Sequence, residues 1–411
     1  MNNWVFRNLR IFSSFGFGYL DLLLVTIVLL CSTGTIKAQK LKSDSNIVTV
    51  TDIAGRTVSF KQPIKRIVLI FGKEIYDLSS LLGDEIEDKL VGWGPALKTS
   101  DNGAYIKFIE RFPRLQKTSF LGSYHNGTLT MEQLLALKPD LVITGSGPRN
   151  TIEQIEKTKL PYLVLGLGDL FKGKVQNLGI AHKSLLILGK VLGKEQKAKE
   201  ITDFVDSHMD TIFSRLSRIK SPVPSVYLEN ATSAEVYGGT EVYRYGNAGG
   251  FDKLSYWSTM LEQVRCNNIA ANTSSEDKSY FAYMGQINPE YLLKADPDVI
   301  ILVGTSGFLN FPTSIRVGYD VSKSEALSSL EAFTKRPGWE NLKAVKNCRV
   351  YALSFEFLTH SMGFVGLEQI AKWLYPNEFK DIDPEEDLRE FHKRFMPIEY
   401  SGVWMIGLED K

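Results

Sequence analysis

Thr130-Met131-Glu132-Gln133-Leu134-Leu135-Ala136-Leu137-Lys138-Pro139-Asp140-Leu141-Val142-Ile143 recurs, with near-identical chemistry, as Asn288-Pro289-Glu290-Tyr291-Leu292-Leu293-Lys294-Ala295-Asp296-Pro297-Asp298-Val299-Ile300-Ile301. With Glu132 laid on Glu290, the Leu-Leu pairs, the Pro-Asp pairs and the apolar runs coincide without a gap. Each stretch reads as a short helix, a Pro-Asp turn and a buried strand. Thr130 and Asn288 suit the N-cap position, and Thr130 with Gln133 makes a capping box. Pro289 falls at the first helical position, where a missing N–H costs nothing. Both glutamates then occupy the second helical position of equivalent helices. A helix-turn-strand unit used twice predicts two lobes built alike.

The chain has 411 residues, too many for one typical core and enough for two domains with additions. Hydrophobic content of 44% and charged content of 23% are ordinary globular values and exclude a disordered or multi-span membrane chain. A formal charge of +1 gives no electrostatic case for nucleic acid as a partner. The N-terminus differs. Arg7 and Arg10 precede an apolar run at 22–30, then small and polar residues up to Ala38. That is the pattern of a secretory signal peptide, expected over residues 1–38, and the run is short of the ~20 apolar residues of a membrane span. Cys31 follows Leu30 where lipid attachment wants a small residue, so cleavage and export are expected over a lipid or membrane anchor.

Past the leader, residues 47–50 and 57–60 alternate around Ala54-Gly55-Arg56 and read as a hairpin. Strand patterns at 66–71, 90–93, 141–143 and 162–165 alternate with helical ones, which predicts a largely parallel sheet covered on both faces. From 173 to about 219 the pattern is helix only. Gly189 and Gly193 predict a break early in it, and Ile201, Phe204, Val205, His208, Ile212 and Leu216 keep a helical period afterwards. Strand patterns resume at 225–228, 299–303 and 349–353, with helices at 251–264, 339–345, 363–375 and 384–395. The expected organisation is α/β: two doubly wound lobes with central, mostly parallel sheets, joined by a single long α-helix. The lobes are placed at 46–172 and 221–411, the latter with a helical C-terminal extension, and the connecting helix at 173–220.

With the leader removed, Cys266 and Cys348 remain. Export permits a disulfide. Cys266 closes a helix returning to the end of the sheet from which Cys348 starts a strand, so the two are a candidate disulfide, with two separate thiols the alternative.

Order and spacing of these segments resemble the periplasmic substrate-binding proteins of ABC importers for ferric siderophores, haem and cobalamin. The resemblance runs from Val48 to about Trp373 and is carried by 132–143, Asn268-Ile269-Ala270, 289–301, Pro337-Gly338-Trp339 and Val350-Tyr351. It implies a ligand held between two lobes, no enzymatic activity and no cofactor of the protein's own. The cargo implied is a metal chelate, foremost a ferric siderophore, with haem, cobalamin or another metal complex as alternatives. It further implies a monomer in the periplasm that docks on a permease in the inner membrane through one glutamate per lobe. Glu132 and Glu290 match those positions. A bare acid at a helix N-terminus also suits the helix dipole, worth ~0.3–1 kcal/mol, which explains each glutamate singly but not their identical placement.

In doubly wound sheets ligands sit beyond the carboxyl ends of the strands. That rule selects 71–73, 93–94, 122–125 and 147–149 in the first lobe, and 237–245, 304–308 and 354–360 in the second. Aromatic faces with a few cations suit a flat anionic chelate. The expected ligand-binding residues are Trp93, Tyr124, Arg149, Tyr243, Arg244, Tyr245, Arg316 and His360, with His125 a further candidate. Arginine forks would pair carboxylate or catecholate oxygens. No three hard ligands cluster in sequence, so no direct metal site is expected. Two other classes compete. An enzyme on this fold lacks support, because Gly166-Leu167-Gly168 is an incomplete dinucleotide fingerprint and no nucleophile elbow or P-loop occurs. An exported sensor without a permease would differ in its use of Glu132 and Glu290.

Overall fold

The computed structural model describes residues 47–124, 127–145, 149–166, 180–231, 241–243, 256–270, 284–306, 314–358 and 360–411. The expected leader, His125, Arg244 and Tyr245 lie outside the described residues, as do the side chains of Arg149 and Tyr243. Residues 46–411 form one compact unit.

The expected hairpin is made by β1 (Ile47–Thr51) and β2 (Thr57–Lys61). A five-stranded sheet follows, built from β3 (Ile67–Leu69), β4 (Leu90–Trp93), β5 (Ser119–Phe120), β6 (Leu141–Thr144) and β7 (Tyr162–Val164). Its order is β5-β4-β3-β6-β7 and every pairing is parallel. Helices α1 (Ile75–Leu82), α2 (Asn102–Arg111), α3 (Met131–Ala136) and α4 (Arg149–Lys157) lie between its strands. Then come α5 (Ile180–Leu192) and α6 (Glu195–Leu216). The second sheet contains β8 (Ser225–Asn230), β9 (Glu241–Tyr243), β10 (Asn267–Asn268), β11 (Met284–Gln286), β12 (Val299–Gly304), β13 (Val350–Ser354) and β14 (Met405–Gly407), with order β11-β9-β8-β12-β13-β14 and β10 also on β8. Its centre is parallel and its edges β9, β11 and β14 are antiparallel. The accompanying helices are α7 (Tyr256–Gln263), α8 (Pro289–Ala295), α9 (Lys323–Thr334), α10 (Gly363–Leu374) and α11 (Pro384–Phe395).

The repeated stretches fold alike, with a side-chain N-cap at the start of each helix. Thr130 and Gln133 form the reciprocal capping box, and Asn288 Oδ1 accepts from the Glu290 amide at 2.9 Å. Lys138 and Asp296, at matching positions, both turn left-handed, with φ of 45° and 44°. The Pro-Asp aspartates then do the same work. Asp140 Oδ2 accepts from the amides of Lys65 and Arg66 at 2.9 and 3.0 Å, and Asp298 Oδ2 accepts from the Ser225 amide at 2.7 Å. Each carboxylate thus satisfies free N–H groups at the start of the neighbouring parallel strand and fixes its register. Leu134 and Leu292, equivalent again, are buried and anchor their helices, each worth roughly 1.5–3 kcal/mol.

Alternation along the strands feeds separate apolar layers. Ile67 and Leu69 face one layer while Val68 and Ile70 face another; Val299, Ile301 and Val303 oppose Ile300 and Leu302 in the same way. One layer is shared by both sheets and includes Ile201, Phe204, Val205 and Ile212 of α6. The predicted break falls at Gly193, which adopts φ of 68°, and α5 and α6 fold back on each other. Gly189 makes this possible: a Cβ there would come within 2.5 Å of Ala198 Cβ. The 22 residues of α6 extend about 33 Å at ~1.5 Å per residue and lead from the first sheet to the second in chain order.

Three expectations change. Cys266 and Cys348 are free thiols, not a disulfide. Cys266 Sγ donates to the Leu261 carbonyl at 3.2 Å, whereas Cys348 sits exposed in a left-handed turn. The helix expected at 339–345 divides into two short turns, because Gly338 enters with φ of 82° and Leu342 is extended. The C-terminal extension is not only helical: β14 pairs antiparallel with β13, and the Ser354 amide donates to the Trp404 carbonyl at 2.8 Å. The extension is also bound to α6 through Arg215, whose guanidinium spans both oxygens of Asp381 at 2.6 and 2.8 Å.

Candidate functional site: facing strand ends and twin helices

The carboxyl ends of β3 and β4 meet those of β12 and β13 across a buried polar seam. At the first pair, Gly72 (φ of 100°) and Gly94 let two backbones touch; a Cβ on Gly72 would lie 2.4 Å from the Gly94 carbonyl oxygen. The turn is held by Glu74, whose carboxylate accepts from the amides of Phe71 and Gly72 at 3.2 and 2.6 Å. Burial pushes Glu74 up to about 7 despite those bonds.

From this turn Lys73 reaches across and its ammonium pairs with Glu356, which follows β13; both are buried. His360 stacks on Tyr76 with centroids 4.3 Å apart, and its nitrogens face Glu356 Oε2 at 3.4 Å and Asp77 Oδ2 at 3.8 Å. Burial opposes a charged imidazole, but the two carboxylates outweigh it and hold His360 above its ordinary value. Burial likewise opposes the Glu356 carboxylate, and Lys73 and His360 outweigh it and hold Glu356 below its ordinary value. Tyr76 Oη donates to Asp101 Oδ2 at 2.5 Å, and Ser306 Oγ donates to Asp101 Oδ1 at 3.0 Å. Burial, then the Glu356 charge, lifts Asp101 to about 6. Thr305 Oγ1 donates to the Ser100 carbonyl, and Asp77 accepts from the Ser361 amide and hydroxyl at 3.1 and 2.7 Å. Charges of both signs buried in contact hold the two sheets' ends in one register, since separating them would leave desolvated charges unpaired.

Of the expected ligand residues, His360 belongs to this seam. Trp93 is fully buried, with its rings against Phe120 (5.5 Å) and Tyr105 (5.7 Å), so its faces are covered by protein; its indole Nε1 has no hydrogen-bond partner. Tyr124 is half-buried with its ring 6.0 Å from Phe71, next to the Gly72 turn. Arg149 is the first residue of α4 and Tyr243 the last of β9, opposite Met284. Arg316 is engaged elsewhere: its Nε donates to Glu325 Oε1 of α9 at 3.2 Å. Lys73 and Glu356 lie inside the selected loops, but Tyr76, Asp77 and Asp101 were missed. Tyr76 and Asp77 are polar residues in the first turn of the otherwise apolar α1, and Asp101 is the N-cap of α2.

Glu132 and Glu290 each stand second in their helix and are exposed, and among the described residues neither is in an ion pair. Three residues on in each helix, Leu135 and Leu293 are exposed by 46% and 38%, and Tyr291 by 41%.

Among the described residues no helix is long and apolar enough to cross a membrane. Across 371 aligned positions the chain is 24% identical to the uncharacterized ABC transporter substrate-binding lipoprotein YvrC of Bacillus subtilis, covering 87% of this chain and 97% of that one. It is 22% identical to the molybdate-binding protein MolA of Haemophilus influenzae, covering 85% and 91%. The fold matches the crystal structure of the TroA-like periplasmic binding protein FepB of Veillonella parvula with a TM-score of 0.75 and 28% identity, covering 88% of this chain and 99% of that one. A family model described as periplasmic binding protein matches residues 89–356, more than half the chain. With two α/β lobes facing each other at their strand ends, this chain belongs to the periplasmic binding proteins, substrate-binding components of ABC importers rather than enzymes.

Proposed function

We propose that this chain is an exported, periplasmic solute-binding protein that captures a metal chelate, foremost a ferric siderophore, between its lobes and delivers it to an ABC importer permease. The observation that carries delivery is the pair Glu132 and Glu290, exposed at the same position of equivalent helices with an exposed leucine one turn on in each. Arginine-lined pockets on a permease would receive the two acids as charge-assisted, bidentate pairs. MolA, by its name, binds molybdate, so a metal-bearing small molecule as ligand has precedent among the relatives. Tyr124 beside the Gly72 turn and Arg149 at the start of α4, with Arg244 and Tyr245 from the sequence, are the aromatic and cationic residues proposed to meet a chelate's rings and oxygens.

The test is the absorbance spectrum and metal content of the protein purified from its own periplasm. A ferric catecholate or hydroxamate gives a broad visible band, haem a Soret band and a corrinoid its own set. A ferric charge-transfer band with about one iron per chain supports the reading. A colourless protein that gains no band and no metal when given ferric chelates overturns it.

A further inference from the structure

Away from the facing strand ends, three helices bring His208 (α6), Glu368 (α10) and Asp387 (α11) together, with one donor atom from each lying within 4.8 Å of the others. His208 Nδ1 is 2.8 Å from Glu368 Oε1 and 3.8 Å from Asp387 Oδ2. Donors bound at ~2.1 Å in a tetrahedron sit roughly 3.4 Å apart, so these spacings bracket a coordination edge. Glu368 is 1% exposed, and among the described residues its second oxygen, Oε2, is buried without a hydrogen-bond partner. A buried carboxyl oxygen without a partner is costly, and one imidazole does not balance two ionised carboxylates. Phe204 and Phe364 wall the imidazole at 4.6 and 4.9 Å, which keeps water from one side, while Asp387, partly exposed, leaves an approach from solvent.

We infer that His208, Glu368 and Asp387 form a structural binding site for a first-row divalent cation of the zinc type, pinning the C-terminal extension to the connecting helix. One nitrogen and two carboxylates are the donor mix such ions accept, with water completing the shell on the Asp387 side. A cation at Nδ1 needs that atom's lone pair in a neutral imidazole with its proton on Nε2, so a doubly protonated His208 must first release its Nδ1 proton to solvent and affinity falls as pH drops. The ion replaces a proton-mediated contact with bonds to three helices at once. Asp387 comes from the extension, a segment that the cargo reading does not use, and the inference is independent of that reading.

The test uses the full chain, stripped with a chelator, desalted and titrated with Co²⁺ by visible absorbance and with Zn²⁺ by calorimetry. The expected result is one saturating equivalent, d–d bands between violet and red, and a rise in melting temperature on zinc addition. Asp387→Asn and, separately, His208→Gln should weaken binding by at least about tenfold, since even outer-shell partners are worth ~10–100-fold, and should abolish the zinc-dependent rise. Absence of saturable binding overturns the inference and leaves a buried proton-sharing cluster. Binding of undiminished affinity in both variants overturns it too, because the ion then sits elsewhere.

Discussion

Lys73 of the first lobe and Glu356 of the second form a buried ion pair between the carboxyl ends of two sheets, flanked by the Thr305–Ser100, Ser306–Asp101 and Ser361–Asp77 hydrogen bonds. This pair sets the resting register of the lobes. Lys73→Met leaves Glu356 buried with its strongest counter-charge gone, and breaking such a pair costs about 3–5 kcal/mol. Urea unfolding at neutral pH should show that loss, and Lys73→Met with Glu356→Leu should recover much of it. A single variant as stable as the parent would show that the pair carries no load.

Closure on cargo should be small. The hydroxyls of Thr305 and Ser306 already hold the Ser100 carbonyl and the Asp101 carboxylate across the seam, and α6 is a stiff 22-residue rod. Hinge closure is therefore limited to a modest twist. X-ray scattering curves with and without cargo should nearly superimpose; a large compaction would contradict the seam as a fixed register.

Reversing both docking acids, Glu132→Arg with Glu290→Arg, should abolish uptake of labelled cargo by cells while leaving its affinity for the purified protein unchanged. Each single reversal should give an intermediate rate. Undiminished uptake by the double variant would remove the permease contact and favour a sensor.

His392 supplies a pH dependence. Its Nδ1–H donates to the Leu388 carbonyl at 2.8 Å, so Nε2 is the acceptor for Tyr319 Oη at 2.7 Å, and burial pushes it down to about 4. Because this lies below the ordinary 6.5, the unfolded chain takes up the proton first. The stabilisation is complete above 6.5 and is lost as pH falls towards 4, up to about 3 kcal/mol. Urea unfolding at pH 7 and 4.5 should show the parent losing more stability than His392→Gln. Equal losses would contradict a neutral buried imidazole.

The sequence was most legible where local chemistry is strong. In the repeated stretches, caps, Pro-Asp turns and apolar runs act within a few residues, and the two copies agree even at Lys138 and Asp296. Gly189 and Gly193 announced the break before α6 for the same reason. β14 was not legible, since three residues carry too little pattern and its partner Tyr351 lies far away in the chain. Neither was the seam: Lys73 meets Glu356 only after both lobes fold, and each alone reads as an ordinary loop charge. His208 was placed on the inward face of its helix, yet its partners Glu368 and Asp387 belong to helices whose packing no periodicity specifies. Trp93 shows the converse error, a residue at the right strand end whose faces are already covered by Phe120 and Tyr105.

Capture of a metal chelate between the lobes can be read by a tryptophan-fluorescence titration of the purified protein. Ferric siderophores of the catecholate and hydroxamate classes, haem, cobalamin and molybdate would be added in turn. Saturable quenching at one equivalent by a ferric chelate is expected, at concentrations well below those at which molybdate acts. Saturation by molybdate alone, or by none of the metal compounds, would contradict it.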